Sequence, residues 1–535
     1  MIAISSVVRY VVWIGVAALA VLAPRAGDRF FRALESWGRR LARRRVACCL
    51  GAGLIVLIVR GALLPWWPVP KPIIYDEFGY LLQADTFSQG RLTNPPHPLS
   101  DFFESVYILQ HPTYTAKFLP GQGLFLAMGQ TLTGEPWAGV LLSCALLAMA
   151  LCWALQGWLP HAWALFGTLL ALPLCITSDW MGSYWGGAVA AIGGALMLGA
   201  CARGPMTAAL ACGIGSVLLM LTRPYEGMLV AIPVCLWLLK KHLPARAWVV
   251  LAGIGLAGAA WLAYYNYQVT GSAWRLPYVE YERQYASAPS LTVLPAGPPK
   301  EFRQKDLTWI DRWEKETYDK ARSFALVTMR PHDWFTALST MFQHSTLVLT
   351  LLALVWVAGA NRRVRLPLIV LLAGLGGSLI EKKYYDHYAA PLAAAAFILL
   401  MWCLRYLRVW RFQGQPVGLF LCRAVPAAAL LLVAARLELP NRNLPVGALR
   451  DRIEQKLEKE GPLHVVVVRY TDERIPHAEW IYNHADIDHS FVIWAQDLGA
   501  EENRRLTSYY HDRQIWLVEP DEDPGRVTPY DRAAP

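Results

Sequence analysis

The chain has 535 residues, 55% of them hydrophobic and only 17% charged, with 50 Lys and Arg against 40 Asp and Glu. That balance excludes an ordinary soluble domain and places the chain in the membrane class. The positive surplus is no nucleic-acid footprint, because it sits in short connections between apolar runs and forms no basic stripe with interleaved aromatics.

In chain order, apolar runs of bilayer-crossing length, roughly 17 to 25 residues, predict helices near 7–23, 47–64, 137–156, 161–176, 187–202, 206–222, 226–240, 247–265, 344–360, 366–380, 388–405 and 418–436. In hydrocarbon every backbone amide must find its partner within its own segment, so these runs are helices. The expected fold is an all-α polytopic membrane protein with about twelve transmembrane helices. The first run resembles a signal sequence but lacks a small-residue cleavage site and leads into arginines, which reads as a retained helix. Arginines 25, 29, 32, 39, 40 and 43–45 form one basic cluster; Lys240, Lys241 and Arg246, then Arg362, Arg363 and Arg365, then Arg405, Arg408 and Arg411 form three more. The positive-inside rule makes these connections cytoplasmic.

This parity divides the chain into an N-terminal helix with a basic cytoplasmic loop (1–46), a transmembrane domain (47–436) with outer loops 65–120 and 268–343, and a soluble outer domain (437–535). The expected location is the inner (plasma) membrane, with the active side periplasmic. Trp66, Trp67, Trp137, Trp158 and Trp185 near helix ends suit an interfacial belt. All ten cysteines lie in or beside apolar runs, so no disulfide framework is expected. No Cys/His spacing calls for a metal.

Two short outer segments and three outer turns hold the candidate chemistry. Asp76 and Glu77 open an amphipathic stretch closed by Gly90; the bland alternative is that Asp76 caps this helix and Glu77 complements its dipole. Lys117, in PTYTAKFLPGQG, precedes the next apolar helix, its alternative being a lysine snorkelling to the headgroups. Asp179 lies in TSDWMGSYWGG, Arg223 and Glu226 in LTRPYEG, and Glu381, Lys382, Lys383, Asp386, His387 and Tyr388 in EKKYYDHYAAP. Two adjacent lysines on an outer turn run against the positive-inside trend and predict an anion beside them. His97 and His111 read as loop histidines, and the 268–343 loop as the shaper of an acceptor site, a lid or solvated chain. Beyond 437 a charged helix (448–461), a strand (464–470), a second near Phe491, a helix (501–510) and a strand near Ile515 predict a small α/β domain, with His484 and His489 as surface histidines.

The DE pair just after an early helix, Tyr80 three residues beyond Glu77, Gly90, then Lys117 and Pro120 before an apolar helix, resembles the GT-C superfamily of membrane glycosyltransferases, in its protein O-mannosyltransferase and aminoarabinose transferase branch (glycosyltransferase family 39-like). The resemblance covers the first outer loop well and the topology loosely. It departs in one respect: in the family this loop usually follows the first crossing, here the second. It implies transfer of a sugar from a polyprenyl-phosphate donor to an acceptor hydroxyl outside the cytoplasm, with inversion and no cofactor, the donor being a substrate. It also implies Asp76 as general base with Glu77 beside it, Asp179 as a second family carboxylate by position, and Lys117 on the donor phosphate. Arg223, Lys382 and Lys383 are expected to join Lys117 there from the outer turns, with a local Arg223–Glu226 ion pair as the alternative for the first. Tyr80, Tyr114, Glu226, His387 and Tyr388 are the expected pocket residues. Partners are then the bilayer, the lipid-linked sugar and a glycan, lipid or protein acceptor. A transporter or flippase of a lipid-linked saccharide, and a non-catalytic envelope assembly factor, stand as alternatives.

Overall fold

The computed structural model describes residues 2–343, 346–437, 446–461, 463–471 and 479–530. Its N-terminal part carries α1 (Ile2–Leu22), α2 (Asp28–Ala42), α3 (Arg45–Ala62) and α4 (Tyr75–Ser88), a hairpin of β1 (Ile108–Leu109) and β2 (Thr115–Ala116), then α5 (Pro120–Thr133). The bundle continues with α6 (Trp137–Trp158), α7 (His161–Thr177), α8 (Ala188–Ala200), α9 (Pro205–Met220), α10 (Pro224–Lys240) and α11 (Ala245–Thr270). Three helices fold from the second long loop: α12 (Pro277–Tyr285), α13 (Lys305–Ala321) and α14 (Leu326–Met341). α15 (Leu354–Ala360), α16 (Arg365–Gly377), α17 (Ala393–Arg408) and α18 (Val417–Leu437) complete the apolar part.

Each apolar run read from the sequence is helical, although the stretch expected from 344 begins outside the described residues and resumes as a 3-10 segment at Thr346–Ala353 before α15. By length and composition α3, α6, α11, Arg362–Ile380 and Asp386–Arg408 can each cross a membrane, and shorter apolar helices accompany them. The chain is a multi-pass membrane protein. The end that carries loops 65–120 and 268–343 is the outer end below.

Small residues bring the site-bearing helices together, as close packing in a bilayer requires. A Cβ on Gly139 of α6 would strike the Phe125 carbonyl of α5, and one on Gly194 of α8 would strike the Pro391 carbonyl. The second approach seats the 3-10 turn Asp386–Leu392, which leads into α17, against α8.

The C-terminal part has α19 (Val446–Leu457), β3 (His464–Val468), β4 (Val492–Gln496), α20 (Ala500–Tyr509), β5 (Gln514–Val518) and β6 (Thr528–Pro529). The sheet order is β4-β3-β5-β6, with β3 parallel to both neighbours and β6 antiparallel. The expected boundary at 437 abuts residues 438–445, which with 472–478 and 531–535 lie outside the described residues.

This sheet domain is seated on the first outer loop. Gly447 N–H donates to Pro72 O at 3.0 Å, Ala485 N–H to the Asp85 carboxylate at 2.7 Å, and Ser105 Oγ to Glu479 Oε2 at 2.6 Å. His97 corrects the reading of a bland loop histidine: it is buried and its Nε2 lies 3.0 Å from Asp488 and 3.2 Å from the Tyr510 hydroxyl. His484, also read as a surface residue, pairs at 3.5 Å with Asp85 of α4 while staying largely exposed.

Candidate active site

α4 starts after Ile74, whose side chain offers no acceptor for the orphan amides of the first turn. Glu77 supplies it by reaching back: Oε2 accepts from Ile73 N–H at 2.7 Å and Ile74 N–H at 3.2 Å, and Oε1 accepts from Tyr184 N–H at 3.2 Å. Burial pushes its carboxyl up to about 7 against the pull of these donors. The cap expected of Asp76 therefore belongs to Glu77, and Glu77, expected beside the base, is turned away from it as a structural clamp.

Asp76, about 100° earlier around the helix, faces a cavity of about 320 Å³ at the outer end. Asp76 and Tyr80 form one wall; Tyr107, Lys117 and Phe118 of the hairpin form another. Tyr278 and Tyr281 of α12 with Trp313 and Glu314 of α13 close it from the second loop, and Trp185, Arg223 and the Lys382–Tyr388 turn complete it. The Asp76 carboxylate has no hydrogen bond or ion pair among the described residues.

The hairpin aims Lys117. Antiparallel pairing of Ile108 with Ala116 and of Leu109 with Thr115 ends in a Lys117 N–H bond to Tyr107 O at 2.9 Å. The ammonium then lies 3.4 Å over the Tyr107 ring and 4.8 Å from that of Tyr281, with no acceptor among the described residues. Rings attract a cation but leave its donors open. Burial brings this ammonium down to about 7, with Lys383 and Lys382 adding to the fall and Glu314 and Asp76 opposing it.

Lys382 and Lys383 meet the anion that their position predicts, and it is the protein's own Glu314. Oε2 accepts from Lys382 at 2.7 Å and Oε1 from Lys383 at 2.8 Å, while the Tyr107 hydroxyl donates to Oε1 at 3.3 Å. Burial alone would raise the Glu314 carboxyl, but the charges of Lys383, Lys382 and Lys117 hold it well below the usual range. Both lysines line the cavity; Lys382 is buried and also donates to Ala288 O at 2.9 Å, which anchors it, whereas Lys383 keeps more exposure.

Arg223 lies 4.1 Å over the Tyr388 ring and 3.5 Å from Glu226. Glu226 stands behind it rather than on the cavity wall. His387 stacks on Trp185 with ring centroids 5.5 Å apart.

Besides Glu77 and Glu226, two further expected site residues lie off the cavity wall. Tyr114 donates to Asn483 O at 3.1 Å and so faces the C-terminal domain. Asp179 is exposed in the turn between α7 and α8; that turn contributes Trp185 to the cavity instead. Sequence reasoning did not name Tyr107, Tyr278, Tyr281, Trp313 or Glu314, and it read Trp185, which lines the cavity, as part of the interfacial belt. The one signal for Glu314 was the unexplained lysine pair that required an anion.

No protein-family model and no curated protein matches the chain. Among solved structures it is similar to ArnT from Cupriavidus metallidurans in the apo state, at 13% identity and TM-score 0.49 over 88% of this chain and 94% of that one. The undecaprenyl phosphate-bound ArnT gives 13% identity and TM-score 0.46 with the same coverage. An Archaeoglobus fulgidus oligosaccharyltransferase with Zn and sulfate gives 14% and 0.45 over 78% of this chain and 60% of that one. Identity this low and TM-scores below 0.5 leave the functional reading to the residues of the cavity.

Proposed function

We propose that the chain is an inner-membrane glycosyltransferase of about twelve spans that moves a sugar from a polyprenyl-phosphate donor to an acceptor hydroxyl on the periplasmic side, with inversion. The observation that carries this reading is the pairing within one outer cavity of a carboxylate, Asp76, and an ammonium, Lys117, neither of which has a hydrogen-bonded or ionic partner among the described residues. Asp76 and Lys117 are both half-buried, and charges withdrawn from water and left open are costly to keep and mark a functional site.

The chemistry needs these groups and a substrate on each side of them. Asp76 takes the proton of the acceptor hydroxyl as its oxygen attacks the anomeric carbon from the face opposite the phosphate. The bond from that carbon to the phosphate oxygen breaks, and the electron pair leaves on the phosphate. Lys117 and Lys383 hold the developing charge, with Arg223 behind them on Tyr388. The products are the glycosylated acceptor and polyprenyl phosphate. Glu314 positions Lys383, and the aromatic walls, Tyr80 and Tyr388 among them, exclude water from the reacting centre. The reading requires no cofactor. It is supported over a transporter by where the ionisable groups stand: they gather at outer helix ends rather than at midspan, where a transport pathway would need them.

Proteoliposomes containing the purified chain and a labelled polyprenyl-phosphate sugar test it. The expected result is release of unglycosylated polyprenyl phosphate that depends on added acceptor. Movement of intact donor across the bilayer without cleavage would instead select the flippase alternative.

A further inference from the structure

α2 joins two apolar helices, α1 and α3, and so is held at the inner surface of the bundle at both ends. One face is fixed to the bundle by acidic residues seven apart. Asp28 accepts from Arg423 of α18 at 2.5 Å, and Glu35 accepts from Arg423 at 2.9 Å and from Arg408 of α17 at 3.0 Å. Residues seven apart lie on one side of a helix, so these bonds set the rotation of α2 about its axis.

That rotation leaves a stripe outward. Phe30, Leu34 and Trp37, spaced i, i+4, i+7, are 67%, 50% and 56% exposed. Arg29 and Arg40 flank the stripe on one side and Arg44 follows just past the helix end; all are exposed, and none has a side-chain ion pair among the described residues. Two aromatics and a leucine flanked by open guanidinium groups are the pattern of a helix lying in a lipid interface. The tethers at both ends put it there, and its open charges are all positive.

We propose that α2 is a binding surface for anionic phospholipid of the inner leaflet, independent of the outer cavity. Phe30, Leu34 and Trp37 enter the acyl boundary, and Arg29, Arg40 and Arg44 take headgroup phosphates by charge-assisted hydrogen bonds. Each such charge near an anionic surface is worth roughly fivefold in affinity.

The test places the full chain in nanodiscs of phosphatidylcholine alone or with one third phosphatidylglycerol, and follows hydrogen exchange of the α2 amides with the α6 amides as a folding control. Exchange in α2 is expected to slow at least about fivefold in the anionic discs. The difference should vanish in the triple variant Arg29→Gln, Arg40→Gln, Arg44→Gln, while Trp37→Glu speeds exchange in both lipids and α6 stays unchanged. Equal α2 exchange in the two discs overturns the proposal, as does a difference that survives the triple substitution. If inorganic phosphate in neutral discs slows exchange as much as the anionic lipid does, the site takes free anions and the lipid assignment fails.

Discussion

The two ends of the bundle handle charge in opposite ways. At the inner end most arginines either meet carboxylates, as Arg408 and Arg423 meet Glu35, or stand exposed, while Arg203 donates to Trp153 O at 2.6 Å and Arg405 lies over Trp402. At the outer end Lys117, Lys382 and Lys383 are folded into the protein, with Glu314 for the pair and only rings around Lys117. Charge that stands exposed at the inner end costs little, because water solvates it. Charge at the outer end has lost much of its water, and Glu314 compensates it at the lysine pair.

Glu314→Ala should produce the largest separation between the ends. Removing this carboxylate strands Lys382 and Lys383 and should lower stability by roughly 3–5 kcal/mol, read as thermal unfolding of the detergent-solubilised protein. Lys117→Met should leave stability nearly intact and weaken polyprenyl-phosphate binding about ten- to a hundredfold, the range of a hydrogen bond to a charged group, measured by titration with the unglycosylated lipid phosphate. Arg363→Met, an inner-end counterpart, should leave that binding unchanged.

The Lys117 ammonium sits at about 7, below its ordinary value, so it is charged below that pH and neutral above it. Binding of the lipid phosphate should weaken by up to about tenfold per unit as pH rises beyond 7. Lys117→Arg, always charged, should flatten the profile. The smallest effect is expected at Glu35: Glu35→Ala removes a half-exposed partner of two arginines and should cost about 1 kcal/mol or less. If it costs as much as Glu314→Ala, the contrast between the ends is wrong.

The bundle was legible because a bilayer allows long apolar runs only one structure, and the convergence of Asp76, Lys117, Arg223, Lys383, His387 and Tyr388 follows from turns that all lie at one end. Hydropathy carries no such information inside the 268–343 loop, where Glu314 and Tyr281 sit among charged and aromatic neighbours at mixed spacing. Two errors came from single-residue geometry. Strand side chains alternate faces, so Tyr114 and Lys117, three apart beside the same strand, point opposite ways. One helical step likewise separates Asp76 in the cavity from Glu77 at the cap. The docking of the C-terminal domain on the first outer loop was hidden because periodicity reports a domain's own core and not the surface it shares.

The central claim is that Asp76 accepts the acceptor's proton, and its most direct test is transfer measured beside donor binding in Asp76→Asn. The substitution keeps the size of the side chain, and the helix cap is Glu77's, so folding and lipid-phosphate binding should match wild type. Sugar transfer should fall roughly a hundredfold or more, the scale of a missing general base. Wild-type turnover in Asp76→Asn would contradict the account.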